Sequence, residues 1–97
     1  MKQIHFISES YRQIAKELIK GGYDLHTHTE PSAFHRALDD FDLVREAGEA
    51  GMAGVLIKAH YGCTAARAAL VNLHSNSAAK AFGGLALNQP VGGLNPY

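Results

Sequence analysis

Apolar and polar positions along this chain follow two rhythms, one with the period of a helix and one with the two-residue period of a strand. From Ser10 to Lys20, Ile14, Leu18 and Ile19 fall on one helical stripe, and Gly21-Gly22 supplies a stop. Tyr23 to His28 reads as a first strand, followed by a polar loop from Thr29 to Leu38 that contains Pro31. Asp39 or Asp40 caps a second helix that carries Phe41, Leu43, Val44 and Ala47 and ends at Gly51. Gly54 to His60 is a short apolar run with β-branched residues, a second strand. Thr64 caps an alanine-rich helix reaching to about Ser75, with Leu70, Val71 and Leu73 as its apolar content, and Phe82 to Asn88 forms a third strand.

A helix followed by β-α-β-α-β predicts the α/β class, with a parallel sheet and right-handed crossovers. Side chains two apart in a strand share a face. Asp24, His26 and His28 therefore oppose Tyr23 and Leu25, while Leu56, Lys58 and His60 oppose Val55, Ile57 and Ala59. In the third strand Gly84, Ala86 and Asn88 oppose Leu85 and Leu87. One face is apolar, fit to lie under helices, and the other turns polar towards the strands' C-terminal ends. That asymmetry predicts a TIM-like (β/α)8 barrel, whose chemistry gathers at the C-terminal rim of its strands. A doubly wound sheet, covered on both faces, would carry more continuously apolar strands. A barrel of this kind takes about 250 residues. The 97 residues then read as a single partial domain, the N-terminal β-α-β-α-β portion of a truncated barrel, with Asn95-Pro96 opening a further helix.

Formal net charge is zero and 46% of the residues are hydrophobic, the balance of a soluble globular unit. A neutral chain argues against sequence-independent nucleic-acid binding, which needs a basic patch for the phosphates. No apolar run approaches the ~20 residues of a membrane span, and the N-terminal stretch is too soon acidic for a signal peptide. One cysteine, Cys63, cannot close an internal disulfide and fits a reducing, cytoplasmic setting. The expected partner is a small-molecule substrate, with no nucleic acid and no membrane; assembly as a homo-oligomer is left open.

The chemistry concentrates at strand ends. His26 and His28 sit on one face at the end of the first strand, and neutral imidazole is a favoured ligand for divalent transition metals. Neighbouring parallel strands lie ~4.8 Å apart, so His60 comes within reach of the pair. With an open fourth position, three imidazoles would bring the pKa of a zinc-bound water towards ~7. Manganese or iron would serve as alternative divalent ions. His60 also reads simply as a rim histidine hydrogen-bonded to a loop. Lys58 points inward two residues before His60, where it would orient an anionic group, stabilise an oxyanion or pair with Asp24. Asp24 lies deeper on the histidine face and suits the role of acceptor for a ligand imidazole. Asn88 ends the third strand on the same side and would bind substrate or cap a turn. His5, His35, His74, Glu30 and Cys63 read as solvated or simply packed residues.

These residues resemble a known group of enzymes. Asp24-Leu25-His26-Thr27-His28-Thr29-Glu30-Pro31-Ser32 is similar to the first-strand Asp-x-His-x-His motif of the amidohydrolase superfamily of metal-dependent hydrolases. It is more similar still to the His-x-His-Thr motif of the related PHP (polymerase and histidinol phosphatase) superfamily. Gly51 to His60 resembles the PHP second strand, which ends in Thr-Asp-His; here Lys58-Ala59-His60 keeps the histidine and replaces the aspartate. The PHP third-strand glutamate has no counterpart in Gly83 to Asn88. The nearest likeness is to an uncharacterised amidohydrolase-like family with this modified pattern.

The resemblance runs from Tyr23 onward and rests on two short motifs. It implies a distorted (β/α) barrel, one to three divalent metals, and hydrolysis of amide or phosphoester bonds. His26, His28 and His60 are the ligands that carry over, with the remaining ligands and the general base beyond Tyr97. The expected function is thus metal-dependent hydrolysis, its catalytic site incomplete within these residues, with Lys58 and Asn88 positioning substrate. The competing expectation is a non-enzymatic barrel relative that binds a small anion through Lys58, His60 and Asn88.

Overall fold

A computed structural model describes residues 8–97. Its elements run α1 (Glu9–Leu18), β1 (Tyr23–Thr27), α2 (Asp40–Glu49), β2 (Gly54–Ile57), α3 (Ala65–His74), β3 (Lys80–Phe82) and a short 3-10 turn, Gln89–Val91. The strands form one parallel sheet in the order β1-β2-β3. The mixed α/β class and the parallel sheet agree with the sequence pattern.

The ends of α2 explain why that helix lies where it does. Asp39 caps it: the Asp39 carboxylate accepts from the Asp42 N–H, and the Asp42 carboxylate accepts from the Asp39 N–H. At the other end Gly51 takes φ +83°, Gly51 N–H donates to Gly48 O, and Met52 N–H donates to Ala47 O. That pair of bonds is a Schellman stop, and Met52 then packs onto the core.

The core lies between one sheet face and helices α2 and α3. Val55, Ile57 and Ala81 meet Leu43, Val44 and Ala47 from α2 and Ala68 and Val71 from α3, with Ala79 beside them. Helix α1 buries none of its residues; Ile14 and Leu18 are exposed, so its apolar stripe has no cover among the described residues.

Two strand assignments differ from the sequence pattern. The third strand spans Lys80–Phe82 instead of Phe82 to Asn88. Residues 83–84 are drawn to the start of α3: Thr64 N–H donates to Gly84 O, and Gly84 N–H donates to Thr64 Oγ1. The approach is so close that a Cβ on Gly83 would fall 2.4 Å from Ala65 Cα. Leu85 and Leu87, expected under helices, are each 55% exposed.

The faces of β1 also differ. Tyr23 pairs with Gly54 and Asp24 with Val55, which sets Asp24 on the helix-facing side. The Tyr23 and Phe82 rings close over Gly54 on the opposite, open face, 6.0 Å between centroids. A register shift between Asp24 and Thr27 then puts Thr27 opposite Ile57. An extra residue of this kind re-aims the side chains after it, and strict alternation from Asp24 to His28 does not hold.

Candidate functional site

The site lies just past the C-terminal ends of β1 and β2. Lys58 N–H donates to Thr27 O at 2.8 Å, so the ladder persists one step beyond β2 and holds the two strand ends together. His28 Nδ1 lies 2.7 Å from the Lys58 carbonyl oxygen. A carbonyl only accepts, so Nδ1 carries the proton and, in the neutral ring, Nε2 keeps its lone pair. The His26 ring stands edge-on to His28 with centroids 5.3 Å apart, and His60 stacks on His28 at 4.8 Å and 18°. The three imidazoles expected at the strand ends do cluster.

Lys58 joins them. Its Nζ lies 3.4 Å from His26 Nε2 and donates when that nitrogen carries no proton. Asn88 Nδ2 donates to the His60 carbonyl at 2.8 Å, which spends that donor on the β2–α3 loop and makes Asn88 a positioning residue for His60. Asp24 is exposed, and its carboxylate accepts the His26 backbone N–H at 3.0 Å; its hydrogen bond goes to His26's backbone rather than to an imidazole ring.

His26 and His28 fit a divalent ion in part. One ring is clamped through its far nitrogen, as ligand histidines commonly are, and the other already faces a cation, the Lys58 ammonium. No group of three His, Cys, Asp or Glu side chains among the described residues stands ready to hold a metal.

Beside the imidazoles opens a cavity of about 220 Å³, bounded by the β1–α2 and β2–α3 loops and including His28, Phe34, Arg36, Lys58, His60 and Tyr61. Its floor is fixed by a buried ionic cluster that the sequence pattern did not single out. Arg67 binds Asp40 through two bonds of 2.8 Å, from Nε and Nη2, and Nη2 also reaches Thr29 O at 3.2 Å. Thr29 Oγ1 donates to Asp40. This cluster ties the residue after His28 to the first turn of α2 and to α3. The available signal was Arg67 itself, the only Lys, Arg, Asp or Glu of α3.

The remaining candidates are peripheral. His35 is solvated and lies 3.6 Å from Glu30, whose carboxylate also accepts the Arg36 N–H. His74 is exposed in the last turn of α3, Cys63 is an exposed free thiol, and His5 lies outside the described residues.

The model of a family of unknown function, DUF6282, matches residues 21–97. The chain belongs to that family. No curated protein and no solved structure gives a match.

Proposed function

We propose that this member of DUF6282 carries part of the active site of a metal-dependent hydrolase, related to the amidohydrolase and PHP enzymes. The observation that carries this reading is the His28–Lys58 clamp, which fixes one imidazole of a close histidine pair at the C-terminal end of parallel strands. The parallel sheet is read as the first part of a (β/α)8 barrel. Support comes from the open face, where Tyr23, Leu25 and Phe82 stay exposed, and from the outer edges of β1 and β3, which no further strand among the described residues pairs. Uncovered edges and an apolar face are features that folded proteins normally pair or cover.

His26 and His28 would hold the ion, with His60 as the next group along, and zinc is the leading choice for an imidazole set. The chemistry such an ion would supply when bound is polarisation of a carbonyl or phosphoryl oxygen and hydroxide near neutral pH. The chain's own residues do the rest. Lys58 orients substrate or steadies negative charge developing on it, and its carbonyl keeps His28 in one tautomer. Asn88 holds the His60 loop. The Arg67–Asp40–Thr29 cluster holds the loop that follows His28.

Hydrolysis of a panel of amides and phosphomonoesters by a protein that carries these residues within a complete barrel tests the reading. Turnover that chelator abolishes, added zinc restores and His28→Ala removes is expected; turnover indifferent to chelator and to His28→Ala would overturn it. The second reading, a small-anion binder without catalysis, draws on Lys58 and Arg36, the two cationic side chains of the cavity outside the Arg67–Asp40 pair. Ligand-induced stabilisation unaffected by chelator, without turnover, is its signature.

A further inference from the structure

The cavity lining is lopsided in charge. It includes Lys58, Arg36 and Arg67 and no aspartate or glutamate. Arg67 is neutralised by Asp40, but no ion pair among the described residues reaches Lys58 or Arg36. The Arg36 guanidinium lies 5.5 Å from the centre of the Phe34 ring, and Arg36 Nε donates to Ser32 Oγ at 3.4 Å. Stacking on a ring and a hydroxyl orient a guanidinium without cancelling its charge. Phe34 from the β1–α2 loop and Tyr61 from the β2–α3 loop meet at the mouth, with centroids 6.1 Å apart and rings tilted by 33°. Both are about half exposed, at 51% and 55%. A gap of that size is filled by the two rings themselves, so they form one aromatic wall and not a slot.

We infer that this cavity selects a small molecule with two parts: a carboxylate or phosphate seated against Lys58 and Arg36, and a flat apolar body lying on the Phe34–Tyr61 wall. Arg36 and Tyr61 are then specificity-determining residues, on loops outside the histidine cluster. The inference rests on the proposed function only in taking this cavity as the substrate site; the ligand pattern itself requires no metal. An anion offsets the two unpaired cations, and the planar body covers two half-exposed rings. A dianion without a flat body gains only the first contribution, and a neutral aromatic only the second.

Calorimetric titration of the 97-residue chain in chelator tests this apart from any metal, using phenyl phosphate, benzoate, benzamide and inorganic phosphate as probes. Phenyl phosphate or benzoate is expected to bind about tenfold tighter than benzamide, the scale of one charge-assisted hydrogen bond. Which of the two binds tighter identifies the anion as phosphate or carboxylate. Arg36→Gln is expected to remove that preference and leave benzamide unchanged, whereas Arg36→Lys restores part of it. Tyr61→Ala is expected to weaken phenyl phosphate severalfold and leave inorganic phosphate as it was. Binding of both phenyl phosphate and benzoate no tighter than benzamide, no binding of any probe, or an Arg36→Gln chain with its anion preference intact would each overturn the inference. If the metal reading fails while the anion preference holds, the inference stands without it.

Discussion

His28 and Lys58 are joined through a ring nitrogen and a backbone carbonyl, Nδ1 to O at 2.7 Å, across adjacent parallel strand ends. The bond costs no side chain of β2, so Lys58 keeps its ammonium for the His26 ring while its carbonyl fixes His28. One residue thus governs two imidazoles by different means.

Arg67→Ala is expected to lower stability by about 3 kcal/mol, because it strands the buried Asp40 carboxylate without its partner. Chemical denaturation reads the loss. The double variant Arg67→Ala with Asp40→Ala should cost less than the sum of the two single changes, since the unpaired charge is gone.

Thr27→Val works in the other direction. Thr27 Oγ1 is buried without a hydrogen-bond partner, and valine replaces that hydroxyl by a methyl of similar shape. A gain of about 1 kcal/mol in unfolding free energy is expected, as an unsatisfied buried hydroxyl is lost. An unchanged or lower denaturation midpoint would mean that the hydroxyl is satisfied in solution.

Asp42 gives stability a pH dependence with a defined sign. The Asp39 N–H, then Arg45, hold the Asp42 carboxyl below the usual carboxylate range. A lowered pKa in the folded state adds stability above the unfolded pKa, and that stability is lost as pH falls through the folded value. The deficit of Asp42→Asn against the parent chain should therefore be full at neutral pH and shrink below about pH 4. Thermal melts at stepped pH check this; a deficit that persists at the lowest pH would locate the effect outside the charge.

Much of this arrangement is legible in the sequence where local chemistry decides. Asp39 caps α2, Gly51 stops it, and Val55 and Ile57 alternate into the core, each from short-range rules. The clustering of His26, His28 and His60 follows from strand ends lying side by side. The third strand eluded the pattern because Ala78-Ala79-Lys80-Ala81 lacks β-branched residues, yet Ala79 and Ala81 are buried against the helices. Gly83 and Gly84 after it continue the sequence pattern of a strand, but Gly84 pairs with Thr64 instead. That threonine holds the N-cap position of α3 but its hydroxyl makes no capping bond; it donates to Ile57 O at 2.6 Å. A strict two-residue period places Asp24 on the histidine face, and the register shift between Asp24 and Thr27 breaks that period. The Arg67–Asp40–Thr29 cluster joins residues up to 38 apart in sequence, beyond the reach of any periodicity.

Zinc titration against a chromophoric chelator measures directly whether His26 and His28 form a metal-holding pair. Binding of one zinc ion per chain, lost in both His26→Ala and His28→Ala and weakened in His60→Ala, is the predicted result. Absence of zinc uptake by the parent chain, or uptake that survives His28→Ala undiminished, would contradict it.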